Sequence, residues 1–161
     1  MSVMIGNRKI IGRVEKTDFP GIGTSDVSAR IDTGAQTSAI WASQAIVQDG
    51  RLGVVFFDKD SPHYTGEMHF FDDFTLGMVA SSNGQAEERY KIRLVVCLGG
   101  KKIRARFTLA DRSTQVYPVL IGRNTLRGKF VVDVKQGDAQ VSAEKERSKA
   151  LQSRLTDTPG E

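Results

Sequence analysis

Asp32-Thr33-Gly34 is the run in this 161-residue chain whose residue types and order could do chemistry. Glycine permits a tight loop in which backbone N–H groups approach the carboxylate, and the threonine hydroxyl can tie the loop to a neighbour. Alone, the tripeptide is also an ordinary turn. Catalysis needs a second carboxylate. Two carboxylates about 3 Å apart share one proton, because like charges that close cannot both ionise easily. The ionised member takes a proton from a water attacking a carbonyl, while the protonated member donates to the carbonyl oxygen; no metal or other cofactor is needed. No other aspartate here precedes Thr-Gly or Ser-Gly. The second carboxylate must then come from a second chain, so a symmetric homodimer is expected.

The elements that would position Asp32 are mostly strands. Strand signals recur at short intervals and the long helical periodicity of a bundle is missing. Ile10–Val14 reads as the first strand, and Asp18-Phe19-Pro20-Gly21 supplies turn chemistry before the chain resumes at Val27. Alternation through Val27–Asp32 puts Asp32 on the polar side at a strand end. Ser38–Ala42 reads as a short strand, and Val54–Phe57 and His69–Phe71 as partners. Ser81-Ser82-Asn83-Gly84-Gln85 reads as a hairpin tip, and Gly99-Gly100 as the turn of a second hairpin. The outgoing strand of that second hairpin, Ile103–Leu109, alternates apolar and basic residues, so its basic face should be solvated.

About 90 residues after Asp32 comes Val119-Leu120-Ile121-Gly122-Arg123-Asn124-Thr125-Leu126, an apolar strand stopped by glycine before one short helix. Phe130–Val134 reads as the last strand. We therefore expect one domain over residues 1–135 and a charged tail over 136–161, disordered or partly helical between Ala143 and Leu155, with few large apolar residues to anchor it.

Composition bounds the partners. A 39% hydrophobic share with 26% charged residues is that of a soluble globular protein, and no apolar run reaches the roughly 20 residues of a membrane helix. The N-terminal run lacks the pattern of a secretory signal, so a cytoplasmic location is the expectation. The formal charge of +4 is spread without interleaved aromatics, which argues against nucleic acid and suits an acidic peptide. Cys97, the one cysteine, sits in an apolar run and reads as a buried structural thiol. His63 and His69 read as surface residues, although Glu67 or Asp72 could join them on a metal. No Gly-x-x-x-x-Gly-Lys-Ser/Thr loop for ATP is present.

Ile31-Asp32-Thr33-Gly34-Ala35 resembles the active-site loop of the retropepsins, the viral-type aspartic peptidases, and Leu120–Leu126 resembles their glycine-arginine-asparagine segment. A nearer likeness is to a bacterial retropepsin-like family once labelled ATP-dependent zinc proteases and associated with an ATP-grasp glutamate ligase. It is carried by Gly12–Glu15, Ala29–Ile40, Ser81–Gly84, Glu88–Tyr90 and Tyr117–Gly128. The resemblance implies an acid-protease barrel with Asp32, Thr33 and Gly34 as the catalytic loop. Ala35 and Gln36, with a flap of Ser81, Ser82, Asn83 and Gly84, would meet a peptide or protein substrate, and Ile121, Gly122, Arg123 and Asn124 would support the loop. The sequence departs from viral members at Gln36-Thr37, where an acid would pair with the later arginine, leaving Arg123 without an evident carboxylate. The expected function is aspartic endopeptidase, with acidic or glutamylated peptides as one substrate class. The alternatives are a catalytically silent binding module on the same fold and, more distantly, a zinc metallopeptidase.

Overall fold

The computed structural model describes residues 3–80 and 84–156. β1 (Met4–Ile5), β2 (Arg8–Ile11) and β12 (Phe130–Val132) form a small sheet in the order β1-β2-β12. The first strand expected at Ile10–Val14 is broken at Gly12-Arg13, and β3 (Val14–Phe19) starts afresh. At the break the Gly12 Cα faces the Gln136-Gly137 backbone with no room for a side chain, so the close approach requires glycine.

A 3-10 turn at Pro20–Ile22 leads to β4 (Thr24–Ile31), which pairs antiparallel with β3. β9 (Ala86–Leu98) and β10 (Lys101–Ala110) form the second expected hairpin, turning through Gly99 and Gly100 at φ of +56° and +78°. Positive φ at both central residues is what a tight two-residue hairpin demands. The strand order β10-β9-β3-β4-β11-β5, with β11 at Val119–Ile121 and β5 at Ser38–Gln48, closes because β10 also pairs in parallel with β5. The result is a six-stranded barrel. Alternation fills it: Ile92, Leu94, Val96 and Leu98 point inward from β9 and Ile103, Ala105 and Phe107 from β10, with Phe19 edge-to-face on Phe107 at 5.6 Å.

Two hairpins extend the sheet beyond these six strands, and Leu52, Val54, Phe56 and Phe57 of the first belong to the same buried core as the barrel interior. β5 is longer than the expected Ser38–Ala42 because its far half leaves the core, bulges near Ala42, and pairs with β6 (Arg51–Phe56), which pairs in turn with β7 (Met68–Phe71). β8 (Phe74–Ala80) pairs with the first half of β9 and ends at Ala80 opposite Ala86. Cys97 corrects the expectation of a buried thiol. Its neighbours Val96 and Leu98 face the core, so strand alternation turns Cys97 outward, where it is half-buried.

Residues after β12 are more firmly attached than their polarity suggested. Arg13 N–H donates to the Gln136 carbonyl at 3.0 Å and Asp138 N–H to the Val14 carbonyl at 2.8 Å, and helix α2 then spans Val141–Thr156. Its anchors are polar. Arg13 forks onto both Glu144 carboxylate oxygens at 2.9 Å, Tyr117 donates to the same carboxylate at 2.6 Å, and Arg147 Nε donates to the Thr114 carbonyl at 2.9 Å. A search for apolar residues misses such contacts. Among the described residues no helix is long and apolar enough to cross a membrane.

Candidate active site

The parallel register of β4 and β11 sets Ile121 beside Ile31, so both strands end at one level. Asp32 N–H donates to the Ile121 carbonyl at 2.8 Å, carrying the pairing one residue past the strand. The chain then turns: Gly34 N–H donates to Asp32 Oδ1 at 2.9 Å and Ala35 N–H to the Asp32 carbonyl at 3.2 Å. A carboxylate that accepts a backbone amide at a glycine is held in a fixed orientation. Asp32 is half-buried, while Thr33 and Gly34 are exposed beside it.

The Gly122 segment grips this loop from behind. Arg123 N–H donates to the Ala35 carbonyl at 2.7 Å and Asn124 N–H to the Gln36 carbonyl at 3.0 Å. Helix α1 (Arg123–Leu126) begins there. Arg123, which lacked an acidic partner in the sequence, uses its guanidinium differently: Nη1 donates to the Thr33 and Gly34 carbonyls at 3.2 and 2.8 Å. It thereby takes up two carbonyls at the turn that an acidic neighbour would not engage.

Sequence reasoning missed a buried polar knot under the loop. Ser38 Oγ accepts from Gly122 N–H at 3.0 Å and lies 2.7 Å from Thr125 Oγ1, and the Thr108 hydroxyl donates to the Ser38 carbonyl at 3.3 Å. Ser38, Thr108 and Thr125 are all buried. Strand alternation could not flag it, because Thr108 has the outward parity of β10 and Thr125 lies in helix α1.

Over the loop lies the β8–β9 hairpin. Ser81, Ser82 and Asn83, the expected flap tip, lie outside the described residues; Gly84 follows them at φ +82°. Between hairpin and barrel is a cleft of about 760 Å³ with Asp32, Gly34, Ala35 and Gln36 on one wall. Arg30, Arg89, Lys91 and Arg112 also line it. Of the acids there, Glu87 is paired with Arg89 at 2.5 Å, and Asp111 is held below the usual carboxylate range chiefly by the N–H of Ser113. Arg112 is the most constrained of the cations. Burial, then repulsion from Arg89 and Arg30, pulls it down to about 10, opposed by the attraction of Asp32, and its Nε donates to the Tyr117 carbonyl at 2.9 Å. It stays protonated at neutral pH, a half-buried cation on the same wall as Asp32.

Asp32 and Thr33 also border a second cavity of about 430 Å³, whose walls include Arg13, Arg30, Tyr117 and Glu144. The two histidines lie elsewhere and apart in role. His63 packs on the Phe57 ring at 5.5 Å between centroids, and burial lowers its pKa, whereas His69 Nε2 is 3.9 Å from Glu67. Among the described residues no group of three or more His, Cys, Asp or Glu is placed to hold a metal.

The chain is similar to curated proteins named probable alpha-L-glutamate ligase. It is 31% identical over 143 residues to that of Shewanella pealeana and 29% identical over 139 residues to that of Desulfotalea psychrophila. These alignments cover 81% and 78% of this chain but only 29% and 28% of the relatives, so the chain corresponds to less than a third of their length. Its fold is similar to the crystal structure of Lpg0085 from Legionella pneumophila, a protein with unknown function (DUF785). The TM-score is 0.61 at 25% identity, covering 80% of this chain and 95% of that one. Over residues 10–143, from β2 to the first turn of α2, the sequence matches the family described as RimB-like, retropepsin-like aspartic endopeptidase RimB, and the chain belongs to that family.

Proposed function

We propose that this protein is an aspartic endopeptidase working as a homodimer, with Asp32 of each chain supplying half of a shared dyad, and that it cleaves acidic, including glutamyl, peptides. The observation that carries this reading is the placement of Asp32: a glycine amide orients its carboxylate at the wall of an open cleft large enough for a peptide. In the dyad, the ionised Asp32 removes a proton from water as the water oxygen bonds to the scissile carbonyl carbon. The protonated Asp32 donates to the carbonyl oxygen, giving a neutral tetrahedral diol. Collapse breaks the C–N bond, with one carboxyl delivering a proton to the departing nitrogen and the other recovering one from the diol.

The acidic preference is supported by Arg30, Lys91 and Arg112 along the same cleft, where Arg89 is already paired with Glu87. Cations partly shielded from water attract carboxylates more strongly than exposed ones do. The relatives' names add a second support, since glutamate ligases make glutamyl bonds. The test is hydrolysis of an oligoglutamyl peptide and of an equally long neutral peptide by wild type and Asp32→Asn. We expect cleavage of the acidic peptide, slower cleavage of the neutral one, and loss of both in the variant. Cleavage that survives Asp32→Asn would refute the assignment.

A further inference from the structure

Strand alternation puts a row of cations on the outside of the barrel, running from Arg106, which shares a cavity wall with Gln36 and Thr37, to Lys102. Lys102, Arg104 and Arg106 point outward from β10, where all three are exposed, and Arg93 is exposed on β9. The register places Arg106 directly opposite Arg93. Like charges directly opposite on neighbouring strands are destabilising, so this pair works against the fold that carries it. The ion pairs among the described residues are Arg13–Glu144, Arg51–Asp72, His69–Glu67 and Arg89–Glu87, and none relieves it. Two acids lie near. Asp18, opposite Cys97, accepts from the Asp26 N–H, and Asp73 borders the shallow depression beside Arg93 and Arg106 without pairing to either.

The row is continuous with the cleft. Lys91 borders that depression together with Arg93 and Arg106, and it also lines the cleft that holds Asp32. We propose that the outward face of β9–β10 is an exosite that binds the acidic chain of a substrate where it emerges from the cleft; this rests on the acidic-peptide reading above. Alternate residues of a strand repeat at about 6.8 Å, the spacing of alternate side chains in an extended peptide lying alongside. An acidic polypeptide fits better than nucleic acid because the outward residues of these strands, Lys91, Arg93, Val95, Cys97, Lys102, Arg104 and Arg106, include no aromatic ring on which a base could stack, and Phe74 at the edge of the depression is half-buried edge-to-face against Tyr90. The exosite makes recognition depend on length. A short acidic peptide fills only the cleft, whereas a longer one also reaches Arg93 and Arg106.

The test uses the full chain carrying Arg93→Gln, Arg104→Gln and Arg106→Gln together, with a short oligoglutamyl peptide and one about three times longer. KM for the long peptide should rise roughly tenfold with kcat unchanged, and the short peptide should be cleaved as by wild type. A milder pair, Lys102→Gln with Arg104→Gln, should show a smaller loss in the same direction and guards against misfolding of the triple variant. Unchanged kinetics on the long peptide, or equal losses on both peptides, would overturn the exosite. Fluorescence anisotropy of the labelled long peptide on Asp32→Asn protein, with and without the triple substitution, reads the surface independently of turnover. If wild type cleaves neither peptide, the peptidase reading fails while this binding measurement still decides the exosite. Tighter binding of a single-stranded RNA of equal charge, lost in the triple variant, would assign the face to nucleic acid and overturn the proposal.

Discussion

Gly122 and Thr37 stand so close that a Cβ on Gly122 would lie 2.5 Å from the Thr37 carbonyl oxygen. That contact is backbone against backbone, with the Ala35 carbonyl 3.0 Å away on the same side, so no side chain can swing aside to make room. Gly122→Ala should therefore destabilise by about 2–4 kcal/mol and Gly122→Val by more. Thermal melts check this. A variant melting within a degree or two of wild type would mean that the strand does not pass behind the Asp32 loop.

Ser38 should matter for a different reason. Removing its hydroxyl leaves the buried Gly122 N–H and the Thr125 hydroxyl without a partner, which costs about 1–3 kcal/mol. Ser38→Ala combined with Thr125→Val should be less destabilising than the sum of the two, because they share one network. Strictly additive denaturant-unfolding energies would contradict the knot.

Glu144 gives a pH signature. Its carboxyl is held below the ordinary range first by the Arg13 hydrogen bond and then by Tyr117. A depressed carboxylate stabilises fully above its unfolded-state value and loses that contribution as pH falls through the folded one. The stability difference between wild type and Glu144→Gln should be constant at neutral pH and shrink below about pH 5. Chemical denaturation across that range reads it, and a difference that grows in acid would be the wrong sign.

Much of this architecture was legible in the sequence, and the failures share a cause. Asp32-Thr33-Gly34 and Leu120-Ile121-Gly122 announced themselves because a tight turn and a close backbone approach restrict residue type severely. Alternation through Ile103–Leu109 showed the solvated side of β10, whereas Leu94–Leu98 reads as an unbroken apolar run, which is why Cys97 was misplaced in the core. What stayed hidden depended on partners distant along the chain. Arg123 reads as an orphan until its target is seen to be carbonyls of the loop, and Arg112 has no local pattern that links it to Asp32. The roots of α2 went unread because Arg13 and Tyr117, which hold Glu144, lie far from it in sequence.

Thr33 bears on assembly. It is exposed next to Asp32, where its hydroxyl could cross a two-fold axis. Thr33→Ala should leave the protomer's melting temperature nearly unchanged, weaken self-association in sedimentation, and raise the enzyme concentration needed for half-maximal activity. An unaltered association constant would remove Thr33 from that role.

The central claim is that one Asp32 from each of two chains makes the reacting pair, and mixing tests it most directly. Wild-type protein at fixed concentration is titrated with Asp32→Asn protein and allowed to re-equilibrate while peptide hydrolysis is followed. With a shared dyad, wild-type chains are drawn into mixed dimers that hold one carboxylate, so activity should fall towards zero as the variant comes into large excess. Activity that stays constant while sedimentation shows mixed dimers forming would mean that each chain acts alone, and the shared dyad would be wrong.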